Sequence, residues 1–278
     1  MKKIIVPTDF SVNSKSGVQF AIHWATQQKL ELVFIHVLYV LRATRWSESY
    51  FEKSAAQEEA FCKIKFEKFI SGIYRNMNVK PGRHSIIIVQ GISPDVTIQD
   101  YCMRNSDIDY ICISTRGAGK FKKIFGTNTG NLITKSPVPV LAVPKTYRIS
   151  AIKNLLYATD FRNYSEELKK VVDFASPFKA TVEVLHFTWP NEIVFDEKTI
   201  EAAFKKKYKY GLKIRFEKND AVQSLIENLQ NQIKIIKPSV VIMFTNQQRT
   251  LFQKIFLYSK AEELSFEAKV PLLVFNKE

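Results

Sequence analysis

The stretch of the chain with the clearest chemical potential is Ser114–Thr127, which reads Ser-Thr-Arg-Gly-Ala-Gly-Lys-Phe-Lys-Lys-Ile-Phe-Gly-Thr. It follows an apolar run that predicts a buried strand and precedes a segment that can be helical. Glycines let the backbone approach an anion closely, and a helix N-terminus presents unpaired N–H groups and partial positive charge. The stretch therefore predicts a phosphate-binding loop, although a plain strand–helix turn can contain the same glycines.

Positive charge in the same stretch favours an anionic ligand. Its cations are Arg116, Lys120, Lys122 and Lys123. No Gly-Lys-Ser or Gly-Lys-Thr ends the stretch, so it is not a P-loop. The third glycine of a dinucleotide fingerprint is also absent. A phosphate site here would therefore follow neither of these two motifs.

Alternating strands and helices surround the glycine stretch. Apolar runs predict strands at Lys3–Val6, Leu30–Leu38, Ser85–Val89, Ile108–Ile113 and Val140–Val143. Helical patterns are found at Ser14–Gln28, about Ser47–Met77, Pro94–Arg104 and Asn128–Lys135. The core candidates of the long second helix are Phe51, Ala55, Phe61, Ile64, Phe66 and Ile70. This alternation predicts a parallel sheet with helices on both faces.

The second half of the chain repeats the first. The matched pairs are Lys3–Phe10 with Asn154–Phe161, Leu32–His36 with Val182–His186, the fourth strand with Ser239–Phe244, Phe121–Phe125 with Phe252–Phe256, and Val138–Val143 with Val270–Phe275. Such a repeat indicates two copies of one domain, predicted at residues 1–146 and 151–278. The second copy is shorter between its second and third strands, where the lysines of residues 205–209 predict a solvated helix face.

Composition indicates a globular chain of two ordinary domains. Its 278 residues are 46% hydrophobic, which is enough for sizeable cores. No apolar run reaches the roughly 18 residues of a membrane helix, and Pro7 cuts the N-terminal apolar run short. We therefore expect a cytoplasmic protein without a membrane segment. The odd number of cysteines and the absence of a Cys-x-x-Cys pair predict reduced thiols without a disulfide or metal framework.

The net charge of +14 is positive in both halves of the chain. Residues 1–145 contain 20 Lys and Arg against 11 Asp and Glu, and residues 146–278 contain 21 against 16. A basic surface favours anionic partners, including nucleotides and nucleic acids. Because no helix-turn-helix or stacked-aromatic pattern accompanies the charge, a solvated basic surface is favoured over nucleic-acid binding.

Taken together, these features resemble the universal stress protein family in a tandem arrangement covering essentially the whole chain. The resemblance is carried by the Val6–Ser11 segment, the glycine stretch, the Gly126-Thr127 pair and the closing Pro137–Val143 segment. It implies an α/β fold of two tandem Rossmann-like domains. Each would be an open five-stranded parallel sheet of order 3-2-1-4-5 with helices on both faces. Strands 1 and 4 are then neighbours at the switch point, where ligands bind beyond the strands' carboxyl ends.

The resemblance also implies an adenine-nucleotide site, with ATP or AMP as ligand and Mg²⁺ as an accompanying ion. The ATP-binding branch of the family carries Gly-x2-Gly-x9-Gly-Ser/Thr. Here Ser114 takes the first position, where the family backbone meets the ribose, and eight residues rather than nine separate Gly117 from Gly126. The residues expected at the nucleotide are Pro7, Thr8, Asp9, Val37, Ser114, Arg116, Gly117, Gly119, Gly126, Thr127 and Asn128.

Roles within this site follow from the same resemblance. Asp9 would contact the nucleoside, and the backbone of Val37, at the end of the second strand, would contact adenine. Gly117, Gly126 and Thr127 would bind the phosphates. Structural alternatives remain, because Asp9 can instead hold an Asx turn and Thr127 can be a helix N-cap, the latter being compatible with phosphate binding.

The second copy departs further from the family pattern. Aligned by sequence, residues 245–248 stand opposite residues 114–117, and Leu257-Tyr258 stands opposite Gly126-Thr127. A leucine cannot reproduce the backbone access of a glycine. Although Asp160 remains, we expect this copy to be a scaffold without a nucleotide site.

The leading functional hypothesis is a non-enzymatic stress protein that binds adenine nucleotide and thereby alters a surface seen by an unidentified protein partner. The alternatives are a slow ATPase and a nucleotide-independent structural or partner-binding protein. An enzyme is not favoured, because Asp9 is the only carboxylate expected in the crevice and no histidine is expected beside it. We further expect the two domains to pair through their last strands as an internal pseudo-dimer, with a homodimer of chains as a further option.

Overall fold

The computed structural model describes residues 1–115, 127–189, 196–220, 223, 225–245 and 270–276. These residues form two compact units. The first unit comprises the described residues up to Thr146, and the second comprises those from Tyr147 onward. The strands within each unit pair in parallel, and each unit is described below by itself.

The first unit alternates strands and helices as the sequence predicts. Its strands are β1 (Lys2–Pro7), β2 (Leu30–Leu38), β3 (His84–Gln90), β4 (Tyr110–Ser114) and β5 (Val140–Val143). Its helices are α1 (Lys15–Gln27), α2 (Glu48–Met77), α3 (Pro94–Arg104) and α4 (Thr127–Lys135). All the strand pairs are parallel, and the order β3-β2-β1-β4-β5 is the expected 3-2-1-4-5.

Local chemistry fixes where these elements begin and end. The Ser47 side chain accepts a hydrogen bond from the Tyr50 amide and so caps the start of α2, and Asn78 ends that helix in the left-handed conformation with φ of 53°. Between β3 and α3 a glycine is required, because a Cβ at Gly91 would lie 2.1 Å from the Thr97 hydroxyl oxygen. The cap at Ser47 thus defines the start of α2, and the absence of a Cβ at Gly91 allows the loop after β3 to pass close to α3.

The core of the first unit lies between the sheet and its helices. Ile4, Ile5 and Val6 of β1 are fully buried, as expected for a strand covered on both faces. The expectation for α2 was partly wrong, since Phe61 is 73% and Ile64 is 66% exposed. The buried stripe of α2 instead follows helical spacing through Ala55, Cys62, Phe66, Ile70 and Ile73. Phe61 and Ile64 do not belong to that stripe and are therefore exposed to solvent.

The second unit repeats the same topology with shorter connections. Its strands are β6 (Asn154–Ala158), β7 (Thr181–Thr188), β8 (Leu212–Lys218), β9 (Val240–Thr245) and β10 (Leu272–Asn276). Its described helices are α5 (Tyr164–Ala175), α6 (Glu197–Tyr208) and α7 (Leu225–Ile236). The order β8-β7-β6-β9-β10 again corresponds to 3-2-1-4-5. As expected, α6 is much shorter than α2, and its lysines from Lys205 to Lys207 are exposed.

Two predictions made from the composition concern the cysteines and membrane-spanning helices. The three cysteines, Cys62, Cys102 and Cys112, are free and buried. In the part of the chain that the structure describes, no helix is long and apolar enough to span a bilayer.

Candidate functional site

A cavity of about 230 Å³ opens at the carboxyl ends of β1, β2 and β4. Of the residues predicted at the nucleotide, it is lined by Pro7, Thr8, Asp9, Val37, Ser114 and Asn128. Its further lining residues are Ser11, Asn13, Ser14, Ile35, His36, Pro94, Ile98, Ile113, Thr115 and Thr129. The fold therefore brings together residues that are far apart in sequence, at the edge where ligands bind in open parallel sheets.

The remaining predicted site residues lie wholly or partly beyond what the structure describes. Arg116, Gly117, Gly119 and Gly126 lie outside the described residues, as do the lysines of the glycine stretch. Thr127 is the first residue of α4, and its backbone is part of the described structure. That helix start stands beside the cavity, because Asn128 and Thr129 line it.

Asp9 lies in a tight turn directly after β1. Its Oδ1 accepts a hydrogen bond of 3.0 Å from the Ser11 amide, which is the Asx-turn arrangement. Burial would raise the pKa of this carboxyl, but hydrogen bonds from Ser11 and Ser14 outweigh burial, so the pKa is lowered. Asp9 is therefore an ionised carboxylate at neutral pH, and its structural role is compatible with a ligand contact.

A histidine, His36, lines the same cavity as Asp9, although no histidine was expected in this crevice. His36 Nδ1 lies 2.8 Å from the Thr8 carbonyl oxygen, which can only accept, so Nδ1 carries the proton. The imidazole also stacks on Phe10, with ring centroids 4.3 Å apart. The position of His36 near the end of β2 could have predicted this placement, because the carboxyl ends of β1 and β2 lie at the same edge of the sheet. The ring is held by these contacts as a strand-end residue.

The backbone of Val37 faces the cavity side of β2. The Ile35 carbonyl accepts from the Thr8 amide, 3.0 Å away on the β1 side, whereas the Leu38 carbonyl accepts from Gly91 on the β3 side. Because backbone polar groups alternate along a strand, those of Val37 point to the β1 side. β1 pairs with β2 only as far as Pro7, which is opposite Ile35. The Val37 amide and carbonyl thus lie where an edge of a planar base could bond to them.

The Ser114 side chain is engaged by the start of α1. Its Oγ accepts from the Gly17 amide at 2.7 Å and donates to the Ser14 carbonyl at 2.9 Å. The Ser16 hydroxyl donates to the same Oγ at 3.1 Å. Sequence reasoning identified Ser114 but missed Ser14, Ser16 and Gly17, since nothing in the local sequence links α1 to β4.

A buried carboxylate connects the starts of α3 and α4. Asp95 is 5% exposed, and its two oxygens accept from the Ser93 hydroxyl and the Asn131 amide, each at 2.6 Å. Thr129 of α4 donates to the Ser114 carbonyl at 3.2 Å. These bonds hold the N-terminus of α4 against the end of β4. Asp95 in the first turn of a helix was a signal for capping, but its partner on α4 was not predictable from spacing.

Among the described residues that line the cavity, a single carboxylate supplies negative charge. Asp9 is the only carboxylate among the described residues that line the cavity, and no lysine or arginine is among them. Within the described ranges, no cluster of three or more His, Cys, Asp or Glu side chains could hold a metal ion. The described part of the cavity therefore offers hydroxyls, backbone groups, the amides of Asn13 and Asn128, the His36 imidazole and one carboxylate.

After β6, the second unit repeats the main features of the turn that follows β1 in the first unit. The Asp160 Oδ1 accepts from the Arg162 amide at 3.1 Å, and His186 Nδ1 donates to the Thr159 carbonyl at 2.9 Å. Phe161 has φ of 58° and Phe10 has φ of 62°, so both turns place a phenylalanine in the left-handed region. The Thr-Asp-Phe turn with its histidine is thus common to both units.

The two units differ at the end of the fourth strand. β1 pairs Ile4 with Tyr110, and β6 pairs Leu155 with Val240, so the register places Phe244 at the position of Ser114. The sequence alignment, which placed Thr245 there, was wrong by one residue. Phe244 is 6% exposed and stacks on Phe275, with centroids 4.9 Å apart. An aromatic pair therefore occupies the position where the first unit has a hydroxyl bonded to a helix start.

Comparison with known proteins identifies a family and structures of similar fold. The model described as "Universal stress protein family" matches residues 1–144, which is more than half of the chain. No curated protein matches the chain.

Among solved structures, a universal stress protein from Archaeoglobus fulgidus DSM 4304 has a TM-score of 0.73 at 16% identity, covering 99% of this chain and 98% of its own. A putative universal stress protein from Pseudomonas aeruginosa UCBPP-PA14 has a TM-score of 0.55 at 18% identity, covering 99% and 93%. At these identities the structures support the fold alone. With the family match, the conclusion is that the chain belongs to the universal stress protein family.

Proposed function

We propose that the first unit binds an adenine nucleotide, ATP or AMP, and that it does so without catalysing a reaction. The observation that carries this proposal is the cavity at the carboxyl ends of β1 and β4, where six of the predicted nucleotide residues meet. Its polar groups are suited to three parts of a nucleotide. The Val37 backbone suits the base, Asp9 suits the sugar hydroxyls, and the start of α4 suits a phosphate.

Mg²⁺ is compatible with this site as a companion of ATP. Hydroxyl and carboxylate oxygens are its preferred protein ligands, and it commonly uses one carboxylate together with nucleotide phosphates and water. Asp9 is the one carboxylate among the described lining residues, so its contact with the ion would be an alternative to its contact with the sugar hydroxyls. The ion would neutralise phosphate charge during binding.

The non-enzymatic assignment rests on how the titratable groups are held. Hydrolysis needs a base positioned to take a proton from water. The Asp9 carboxylate accepts from the Ser11 amide, and His36 donates its Nδ1 proton to the Thr8 carbonyl. A slow ATPase is the second candidate, because Asp9 and His36 line one cavity. Release of inorganic phosphate from ATP that continues beyond one turnover and is lost in His36→Ala would favour that candidate.

In the proposed role, nucleotide binding changes a surface recognised by a protein partner. Native mass spectrometry of the purified full chain tests the binding step. We expect a discrete added mass equal to ATP or AMP, or its appearance when micromolar ATP is added. A protein that carries no nucleotide and takes up none at millimolar ATP would contradict the proposal and favour a nucleotide-independent, partner-binding role.

A further inference from the structure

We infer that Ser114 is a positioning residue of the nucleotide site: its hydroxyl ties the end of β4 to the start of α1, so that the backbone, and not the side chain, is presented to the ligand. This inference rests on the proposed function. It leaves the backbone contact expected at the first position of the family's glycine motif in place and adds a role for the Ser114 side chain.

The first step is the bonding of the hydroxyl. The Ser114 Oγ donates its one proton to the Ser14 carbonyl and accepts from the Gly17 amide and the Ser16 hydroxyl. A hydroxyl has one proton and two acceptor lone pairs, so its bonding capacity is filled. The Ser114 hydroxyl is therefore already committed within the protein and is not free to bond to a ribose.

The second step is the role of Ser114 as a helix cap supplied from another element. Ser14 is at the N-cap position of α1 but makes no side-chain cap bond. The Gly17 amide, in the first turn of α1, is bonded by Ser114 instead, although the two residues are 97 positions apart. A cap from another strand satisfies an orphan amide and also fixes the distance between that strand and the helix.

The third step is the space that Gly17 provides. A Cβ at Gly17 would lie 2.7 Å from the Ser114 amide nitrogen and 2.9 Å from its Oγ. Real side chains do not make contacts this short, so the approach of α1 to β4 depends on a glycine at this position. Gly17 and Ser114 thus form a complementary pair, and this pair explains how a serine is accommodated at the position of a family glycine.

The fourth step connects this pair to the cavity. The Ser114 carbonyl accepts from the Thr129 hydroxyl of α4, and the next amide, that of Thr115, donates to the Val143 carbonyl at 2.8 Å. The side chain and backbone at the end of β4 are therefore held by α1, α4 and β5 together. Ser14, Ser114 and Thr129 all line the cavity. A change at the Ser114 hydroxyl is expected to move the cavity wall that faces the sugar and phosphates.

The competing interpretation, that Ser114 is an obstacle to the ribose, predicts the opposite sign. If the hydroxyl obstructs the ligand, Ser114→Gly restores the family residue and tightens binding. If the hydroxyl positions the wall, Ser114→Gly and Ser114→Ala both weaken binding. Ser47→Ala is the matched control, since the Ser47 hydroxyl also accepts an amide proton in a helix first turn, that of Tyr50, and lies outside the cavity lining.

The experiment is a calorimetric titration of the full chain and these variants with ATP, together with their thermal unfolding midpoints. We expect the affinity for ATP to fall about tenfold or more in both Ser114 variants, as for the loss of a partly buried hydrogen bond that leaves its partner amide unsatisfied. In Ser47→Ala we expect a lowered midpoint with unchanged affinity. Loss of affinity in the control to the same extent would reduce Ser114 to a general stability effect and overturn the inference.

Two further outcomes separate this inference from the proposed function. Equal or tighter ATP binding by Ser114→Gly overturns the positioning role while leaving nucleotide binding intact. A parent protein that binds no ATP at millimolar concentration overturns both. Amide hydrogen exchange gives a readout without ligand: the Gly17 amide should exchange faster in Ser114→Gly and not in Ser47→Ala, and unchanged protection of that amide would overturn the inference.

Discussion

The two units share one turn and differ at one strand end. After the first strand of each unit, the threonine carbonyl accepts from a histidine and the aspartate accepts from an amide two residues later, with distances that agree within 0.1 Å. At the end of the fourth strand, Ser114 bonds to a helix start in one unit, while Phe244 stacks on Phe275 in the other. The shared part is the turn, and the variable part is the wall opposite it.

This difference indicates what each part contributes. Because the Thr-Asp-Phe turn is kept in the unit that is expected to lack a nucleotide site, the turn serves the fold by closing the first strand. An aspartate in that turn is then not diagnostic of ligand binding. The second unit also buries Phe187 to 5% exposure at the position of Val37, whose side chain is partly exposed. We therefore expect nucleotide binding to depend on the ends of the second and fourth strands and on the residues that follow the fourth strand.

The largest expected effect is the absence of a second site. A calorimetric titration with ATP or AMP should give a stoichiometry near one per chain, because Leu257 and Tyr258 replace the Gly126-Thr127 pair and Phe244 replaces Ser114. Two equivalent sites would show that the second unit has been misinterpreted.

The next effect is at Gly126, which lies outside the described residues. Gly126→Leu copies the residue of the second unit and should place a side chain in the space of the phosphate. A loss of even ~3 kcal/mol weakens binding more than a hundredfold. Gly82→Leu is the control, since a Cβ at Gly82 meets nothing within 4 Å, and it should bind ATP like the parent. Parent-like affinity in Gly126→Leu, with an unchanged circular dichroism spectrum, would mean that the glycine stretch is only a turn.

A matched pair of aspartate variants separates the fold role from the ligand role. Asp9→Ala and Asp160→Ala each remove the same turn hydrogen bond. We expect only Asp9→Ala to lower the affinity for ATP, by about 1–3 kcal/mol, because polar contacts are lost without blocking the cavity. Both should lower the free energy of unfolding by a similar amount in urea titrations. Equal ATP affinity in the two variants would leave Asp9 with the turn role alone.

The smallest expected effect is on the free energy of unfolding and concerns Asp95, whose hydrogen bond to Asn131 joins α3 to α4 in the first unit. Burial would raise its pKa, but hydrogen bonds from Ser93 and Asn131 lower it below the ordinary value of 3.8. Its stabilisation is therefore fully present above that pH and is lost as the pH falls through the lower, folded-state pKa. Asp95→Asn should reduce the free energy of unfolding by about 1–3 kcal/mol at pH 7.

That difference from the parent should shrink in urea titrations carried out near pH 3. The exchange variant Asp95→Asn with Asn131→Asp provides the control, because it restores a donor and an acceptor across the same gap. A difference that persists unchanged at low pH would mean that the carboxylate charge does not contribute.

Much of the fold was determined by the sequence alone. The bounds of β2, α3 and β5 agree with the predicted segments, and the strand order of each unit is the one that the family resemblance implies. These features are local or repeated: apolar runs predict strands, and Pro94 fixes the start of α3. The convergence of Asp9 with the end of β4 also followed from the strand order, because parallel strands end at the same edge of the sheet.

Other features were decided only by the tertiary structure. The direction of the Ser114 hydroxyl depends on Gly17, which lies on a distant element, and no local pattern contains that contact. The exposure of Phe61 depends on which stripe of α2 meets the sheet, and the position of Phe244 depends on strand register, which a one-residue error in alignment shifts to the opposite face. Sequence determines which elements form and in what order. Packing between elements distant in the chain determines where each side chain points, and in the first unit it makes the Ser114 hydroxyl a cap for α1.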